Sequence, residues 1–101
     1  MSSHGNSHKN KNLHHLYGIF EHETDDVFKY GISDDPIGKD DLSYRVRSQL
    51  RFANLAAGFI KFFAKILLRN IPGRKEAERI EREHIDIYVK KHGRKPPGNL
   101  R

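Results

Sequence analysis

Apolar side chains in the first third of the chain recur at every second position, which is the spacing of β-strands. Residues 13–21 and 27–33 are rich in aromatic and branched side chains, and a polar, turn-forming segment separates them. Two short strands joined by a polar loop are typical of a β-hairpin. The sequence therefore predicts a hairpin over residues 13–33.

Both predicted strands contain a glycine. Strict alternation places Gly18 and Gly31 opposite the apolar row of their strands, and the row of the second strand consists of Phe28, Tyr30 and Ile32. A glycine inside a strand often marks a place where a ligand or another backbone comes close. A β-bulge or a tightly crossing helix explains these glycines equally well, so both interpretations stay open.

Helical spacing replaces alternation in the second half of the chain. Apolar residues every three or four positions predict a helix over 42–53, with Asp40 or Asp41 as its cap. The mostly apolar run 59–68 predicts a buried strand, although periodicity alone also allows a helix. Residues 74–92 predict a second helix, and the Pro-Pro-Gly turn after it predicts an end that folds back onto the domain. The order of elements predicts a small α+β domain.

Length and composition exclude several classes of protein. A chain of 101 residues forms one domain, which we place at residues 13–101 behind a flexible polar segment, residues 1–12. The N-terminal segment lacks the apolar core of a signal peptide, so any export is expected to use another route. No run of apolar residues is long enough for a membrane span. The absence of cysteine excludes thiolate catalysis and cysteine zinc sites.

The charge of the chain is unevenly distributed. Residues 21–41 carry eight acidic residues against two lysines, a net charge of −6, whereas residues 42–101 carry fifteen Lys and Arg against five acidic residues, a net charge of +10. The basic half is a candidate surface for a polyanion such as nucleic acid. A merely solvated, solubilising face is the alternative.

Two groups of residues are candidates for chemistry. Glu81 falls at the edge of the apolar stripe of the second predicted helix, where a carboxylate needs either an arginine partner or a metal. His4, His8, His14 and His15 could form a metal-binding tract, but their irregular spacing favours a tail or linker.

Two offset Tyr-Gly-Ile segments, Tyr17-Gly18-Ile19-Phe20 and FKYGIS over residues 28–33, precede a helix with the segment SYRVRSQLR and a later helix with AERIEREHI. In this order they resemble the GIY-YIG, or URI, nuclease family over residues 16–99. The KYGIS segment, the E-x-x-x-I helix and the final G-x-x-P-P-G-N are similar to the URI-type toxin modules of bacterial polymorphic toxin systems. The resemblance implies a short three-stranded antiparallel sheet.

The resemblance also implies roles for individual residues. Arg45, with Arg47 as a weaker choice, would contact the phosphate, Glu81 would bind Mg²⁺ or Mn²⁺, and Asn99 would orient the site by hydrogen bonding. The basic half of the chain would follow the nucleic-acid backbone, and its candidate contacts are Arg47, Arg51, Arg74 and Lys75.

The general base is less defined, because this chain has Phe20 and Lys29 where the family has tyrosines. Tyr17 and Tyr30 are candidate catalytic residues, since Lys29 or a tyrosine would position or deprotonate the water, but they fall outside the family register, and alternation predicts that they face the other side. Four residues could serve as the base: Lys29, His14, His15 or a displaced Tyr17. Lys29 ranks first because it shares a strand face with Gly31.

These features predict a metal-dependent endonuclease that acts on DNA, or on RNA, as the toxin domain of an interbacterial effector. The resemblance implies a cognate acidic immunity protein, and a larger secreted protein that carries the domain to the cytoplasm of the target bacterium. Two alternatives are a non-catalytic nucleic-acid-binding domain and a regulatory protein-interaction module. The oligomeric state stays open.

Overall fold

The fold is a three-stranded sheet with two helices, described for residues 10–100 by a computed structural model. Its elements are β1 (Leu13–Glu21), β2 (Val27–Ser33), α1 (Tyr44–Ala57), β3 (Phe62–Pro72), α2 (Arg74–His92) and a short 3-10 turn (Pro97–Asn99). The strands are antiparallel in the order β2-β1-β3, so that β1 lies in the centre. The predicted α+β class and three-stranded antiparallel sheet are confirmed.

The N-terminal end of α1 differs from the prediction. The helix begins at Tyr44, with Ser43 rather than Asp40 or Asp41 as its N-cap residue. The Ser43 side chain makes no capping hydrogen bond; instead the backbone N–H of Arg45 donates to Asp35 Oδ2 at 3.0 Å. A carboxylate from the preceding loop thus satisfies one of the free N–H groups of the first turn.

The other end of α1 and the start of β3 also lie further along the chain than predicted. Gly58 ends the helix in the left-handed conformation, with φ of 81°, and its N–H donates to the carbonyls of Asn54 and Leu55. The Asn54 side-chain oxygen then accepts the N–H groups of Lys61 and Phe62 at 2.9 and 2.8 Å. Because this contact fixes the turn, β3 begins at Phe62 instead of residue 59.

Each face of the sheet is covered by one helix. Leu16 and Ile32 pack with Ile71 and with Ala77 of α2. On the other face, the buried strand residues Tyr17, Ile19 and Phe62 pack with Val46 of α1. Successive residues of β1 therefore point into two different cores, and burial of one such Leu or Ile stabilises the fold by about 1.5–3 kcal/mol.

A register shift between Ile19 and Phe20 corrects one predicted strand face. Lys29 pairs with Ile19 and Val27 pairs with Phe20, so that Phe28 is the extra residue. Its ring consequently packs 4.4 Å from that of Phe62 on the α1 side, away from Ile32. Strict alternation had placed Phe28 and Ile32 on one face.

The backbone before β1 holds the start of α2. Asn10 is buried, and the side-chain amides of Asn10 and Asn12 both donate to Asp34 Oδ2 at 3.0 Å. The carbonyl of Asn10 accepts the N–H of Arg74, the first residue of α2, at 2.9 Å. These bonds tie residues 10–12 to both β2 and α2.

The domain boundary at residue 13 stays a prediction, and His4 and His8 lie outside the described residues. Within residues 10–100, neither helix combines the length and the apolar composition that crossing a membrane requires.

Candidate functional site

A polar cavity of about 370 Å³ lies along β2, the edge strand of the sheet. Its walls come from β1, β2, both helices and the C-terminal segment. All six residues predicted as catalytic line it: Tyr17, Lys29, Tyr30, Arg45, Glu81 and Asn99. The fold therefore assembles in one place side chains that are up to 82 positions apart in the sequence.

Tyr17 lies on the cavity side of the sheet, and the prediction that it faces away is wrong. It is the cross-strand partner of Gly31, so it shares a face with Lys29. Any side chain at position 31 would overlap the phenol ring, which explains this glycine by the close approach of a neighbouring ring. The side chain is 1% exposed, and this burial raises the pKa of Tyr17, while the positive charge of Arg45 opposes the shift.

Tyr30 also lines the cavity, although its surroundings differ from those of Tyr17. Its ring meets the ring of His84 on α2 edge-on, with 5.4 Å between the centroids. Burial raises the pKa of Tyr30, and the nearby Tyr88 adds to the shift. Both tyrosines are therefore neutral phenols near pH 7.

α1 supplies two side chains to the site. The Arg45 side chain lines the cavity near Tyr17, while its own backbone N–H donates to Asp35. One helical turn later, the Gln49 side-chain oxygen accepts a hydrogen bond from Lys29 Nζ at 2.7 Å. Sequence reasoning missed Gln49, although the four-residue spacing from Arg45 places both side chains on one helix face.

Glu81 lines the cavity from α2 and is half-buried. Burial raises the pKa of its carboxyl group, whereas the positive charges of Arg74 and Lys29 lower it. Arg74 and Glu81 are seven residues apart on α2, which is about two turns and places both on one face.

The donor set around Glu81 is compatible with magnesium. Among residues 10–100 no group of three or more His, Cys, Asp or Glu side chains could hold a metal ion. Mg²⁺ does not need such a group, because it keeps several waters and commonly binds through one or two carboxylates. A single half-buried carboxylate in a polar cavity fits this mode of binding.

The C-terminal segment forms the wall beside β2, as the Pro-Pro-Gly turn predicted. The Asn99 side chain accepts the N–H of Tyr30 at 2.8 Å and donates to the carbonyl of Tyr30 at 2.9 Å. Pro96 is buried, and Gly98 lies so close to β2 that a Cβ atom there would come within 2.8 Å of Phe28 and Lys29 side-chain atoms. Lys95 therefore reaches the cavity, a contact that no sequence motif indicated.

Of the four residues predicted to contact the nucleic-acid backbone, Arg74 alone lines this cavity. Arg47 donates to Asp40 Oδ1 and to the carbonyl of Leu42, both at 2.9 Å, and so supports the loop before α1. Arg51 is exposed further along α1, and Lys75 is exposed on α2, both outside the cavity.

His14 and His15 lie outside the cavity as well. His14 Nδ1 is 2.7 Å from the carbonyl of Asn12, and His15 Nε2 is 2.9 Å from Ser43 Oγ. Both rings are buried, and burial lowers the pKa of His15. We call these two histidines, with Ser43 and Asp34, the histidine end of the sheet. Neither histidine is placed to act as a base in the cavity.

The fold and the cavity define a small α+β domain with a charged cleft at a sheet edge. Residues 7–93 match the family model described as URI fold toxin 2, and because this match covers most of the chain, the protein belongs to that family of toxin domains. No curated protein and no solved structure gives a match. The predicted URI-type toxin module is thereby confirmed at the level of the family.

Proposed function

We propose that this toxin domain is a divalent-metal-dependent endonuclease that hydrolyses phosphodiester bonds of nucleic acid. One observation carries the proposal: cations from four separate parts of the chain meet a single half-buried carboxylate at one cavity. The cations are Lys29, Arg45, Arg74 and Lys95, and the carboxylate is Glu81. A site of this composition suits a polyanionic substrate that needs a metal ion for its reaction.

Arg45 is the residue best placed to bind the phosphate that reacts. Its backbone N–H is held by Asp35, and its side chain lines the cavity close enough to Tyr17 for its positive charge to act on that phenol. A guanidinium presents two parallel N–H donors to a phosphate, and these bonds strengthen as charge accumulates on the phosphoryl oxygens. Arg45 would therefore stabilise the transition state more than the substrate.

Glu81 would hold the Mg²⁺ or Mn²⁺ ion, with water molecules completing the coordination. A divalent ion at this place supplies charge stabilisation for the leaving oxygen. Arg74 and Lys29 influence the same carboxylate and favour its ionised form, which is the form that binds a metal.

Two residues are placed to position or deprotonate the attacking water. Lys29 Nζ donates to the Gln49 side-chain oxygen, and its positive charge acts on Glu81, so Lys29 supplies a positive charge that suits phosphate binding. The Tyr17 hydroxyl lies near the positive charge of Arg45, which opposes the rise in the Tyr17 pKa that burial causes. We therefore propose that Tyr17 positions the attacking water and that Lys29 supplies positive charge for phosphate binding.

Two conservative variants test this division of roles. Lys29→Arg keeps the positive charge but removes a titratable amine, and it should retain most of the activity. Tyr17→Phe keeps the ring over Gly31 but removes the hydroxyl, and it should lose most of the activity. The reverse result would make Lys29 the base.

The activity itself is tested with purified protein, plasmid DNA and total RNA, in Mg²⁺ or in EDTA. We expect cleavage in Mg²⁺, loss in EDTA, and loss in Glu81→Gln and Arg45→Ala. Arg69→Ala is the matched control, since Arg69 is paired with Asp41 outside the cavity. Intact DNA and RNA at high protein concentration, with binding retained, would instead support a non-catalytic nucleic-acid-binding domain.

DNA is the substrate that we propose first, with RNA as the second arm of this experiment. We also propose that the domain acts in the cytoplasm of a target bacterium after delivery by a larger secreted protein. Its cognate immunity protein would be acidic, because covering the cleft requires charges opposite to its cations.

A further inference from the structure

The C-terminal wall of the cleft is built differently from its other walls. Residues 94–100 lie beyond the part of the chain that matches the family model, and their one regular element is the 3-10 turn Pro97–Asn99. The segment is nevertheless attached to the edge strand by the two hydrogen bonds of Asn99. This attachment determines where the preceding residues lie.

The Asn99 side chain pairs with backbone groups of β2, as a neighbouring strand would. Its side-chain amide satisfies both the N–H and the carbonyl of Tyr30, which are the outward-facing groups of an edge residue. The close approach of Gly98 to β2 and the burial of Pro96 hold the backbone on either side of the turn. Four residues before Asn99, Lys95 is thereby kept at the cavity.

Among the surface cations of residues 10–100 without a carboxylate partner, Lys95 differs from Lys91 in that it lines the cavity. Several exposed arginines are engaged by carboxylates, among them Arg47 by Asp40 and Arg79 by Glu76. Within residues 10–100 no carboxylate pairs with Lys95. An exposed ammonium group beside a cavity with several other cations raises the free energy of the empty cleft, and an anion relieves that repulsion.

We propose that Lys95 is a phosphate-binding residue of the cleft, held there by the pairing of Asn99 with the backbone of Tyr30. The inference rests on the proposed function, because it takes the ligand of the cleft to be a nucleic-acid phosphate. Lys95 contacts the substrate in this proposal, whereas Asn99 is a positioning residue that acts through the backbone.

The test measures binding without cleavage, so that it does not depend on turnover. A fluorescein-labelled DNA duplex and a labelled RNA strand are titrated in EDTA at several salt concentrations, and the affinity is followed by anisotropy. For Lys95→Gln the salt slope should fall by about 0.9 on duplex DNA, or about 0.7 on a single strand, which is the loss of one phosphate contact. Lys91→Gln, an exposed lysine outside the cavity, is the matched control and should keep the slope.

Asn99→Ala tests the positioning role. It should reduce the slope as much as Lys95→Gln does, and the double variant should show no further reduction. A second readout is independent of any ligand: amide hydrogen exchange at Tyr30 should become faster in Asn99→Ala, because its N–H loses its acceptor. Lys95→Gln should leave this exchange rate unchanged.

The possible failures are distinguishable. Equal slopes for Lys95→Gln and Lys91→Gln, in a wild-type protein that binds and cuts nucleic acid, would overturn this inference and leave the proposed function in place. A full slope in Asn99→Ala with faster Tyr30 exchange would overturn the positioning role. A wild-type protein that binds neither probe would overturn the proposed function and this inference together.

Discussion

The cleft and the histidine end use polar side chains on the same sheet for opposite purposes. At the histidine end, His15 bonds Ser43 and Asp34 accepts from Asn10 and Asn12, so that these polar groups have partners within the fold, whereas the buried His14 Nε2 has none among the described residues. In the cleft, charged groups converge on an open cavity of about 370 Å³. Buried polar groups with partners of their own contribute to stability, whereas charges gathered around a cavity are typical of a ligand-binding site.

The comparison shows why residue type alone misleads. A histidine pair is a more obvious candidate for acid–base chemistry than a buried tyrosine. In this fold the histidines are held by a backbone carbonyl and a serine, and the tyrosine lies beside an arginine and a glutamate. The two regions therefore differ in the groups that surround each titratable side chain, and the type of side chain alone does not distinguish them.

The largest expected effect concerns activity at the cleft. If the domain is the proposed nuclease, Arg45→Ala should lower the rate of cleavage by about 10²–10³-fold, because it removes the donors that we assign to the developing phosphoryl charge. Arg69→Ala should change the rate little, since Arg69 lies toward the histidine end, where its charge lowers the pKa of His15. Single-turnover cleavage assays of both variants provide the measurement. Equal losses would mean that overall positive charge, and not the cleft, determines the rate.

The next effect concerns stability at the histidine end. His15→Ala should lower the free energy of unfolding by about 2–4 kcal/mol, because it leaves a cavity and deprives Ser43 of its partner. Urea denaturation followed by circular dichroism measures this loss. Glu81→Ala is the counterpart in the cleft, and it should be much less destabilising. If both substitutions lower the free energy of unfolding equally, the claim that the histidine end stabilises the fold more than the cleft does would be wrong.

A smaller loss of stability is expected at the contact between Tyr17 and Gly31. Gly31→Ala introduces a methyl group that overlaps the phenol ring, and overpacking of this kind costs about 1–3 kcal/mol. The combination of Gly31→Ala with Tyr17→Ala should recover part of that loss, because the ring is then absent. Thermal unfolding of the single and double variants gives the comparison, and a purely additive result would contradict the overlap.

The smallest effects are two pH dependences of opposite sign. Burial lowers the pKa of His15 below 6.5, so its contribution to stability is complete above pH 6.5 and is lost as the pH falls through the folded-state value. Burial raises the pKa of Glu81 above 4.5, so its contribution is complete below pH 4.5 and is lost as the pH rises through the folded-state value.

Variants separate these two contributions. Relative to wild type, Glu81→Gln should gain stability near pH 7 and lose that advantage toward pH 4, whereas His15→Gln should be less sensitive to acidification below pH 6.5. Urea midpoints measured from pH 4 to pH 8 without metal test both expectations. A Glu81→Gln curve parallel to that of wild type would show that ionised Glu81 carries no cost in the folded state.

Local patterns were sufficient for part of the fold. Alternation predicted β1 and β2 with their observed bounds, and helical spacing predicted α2 over residues 74–92. The bounds of α1 and β3 could not be read in the same way, because they depend on Asp35, Gly58 and Asn54 acting across turns. The bulge at Phe28 is a further nonlocal feature, since it exists only in the pairing with β1.

The candidate site was predicted through motifs, and its geometry was not. The motif residues do line one cavity, but Tyr17 was expected on the wrong face, because alternation within each strand does not give the register that pairs Tyr17 with Gly31. Gln49 and Lys95 belong to no motif, and their places depend on contacts with Lys29 and on the attachment of Asn99. Residues of this kind can be assigned to the site only from the three-dimensional structure, because their neighbours in the cavity are distant in the sequence.

The bond between the Asn10 carbonyl and the Arg74 N–H has a mechanical consequence. Tension applied to the chain at residue 10 loads this bond, and the contacts of Asn10 and Asn12 with Asp34, before it loads the ladders of the central strand. Arg74 begins the helix that carries Glu81, so a force on residue 10 reaches the start of this helix, and with it one wall of the cleft, through a single backbone hydrogen bond. We therefore expect that a pull from the N-terminal side would disturb the position of Glu81 at a lower force than the one that separates the strands of the sheet.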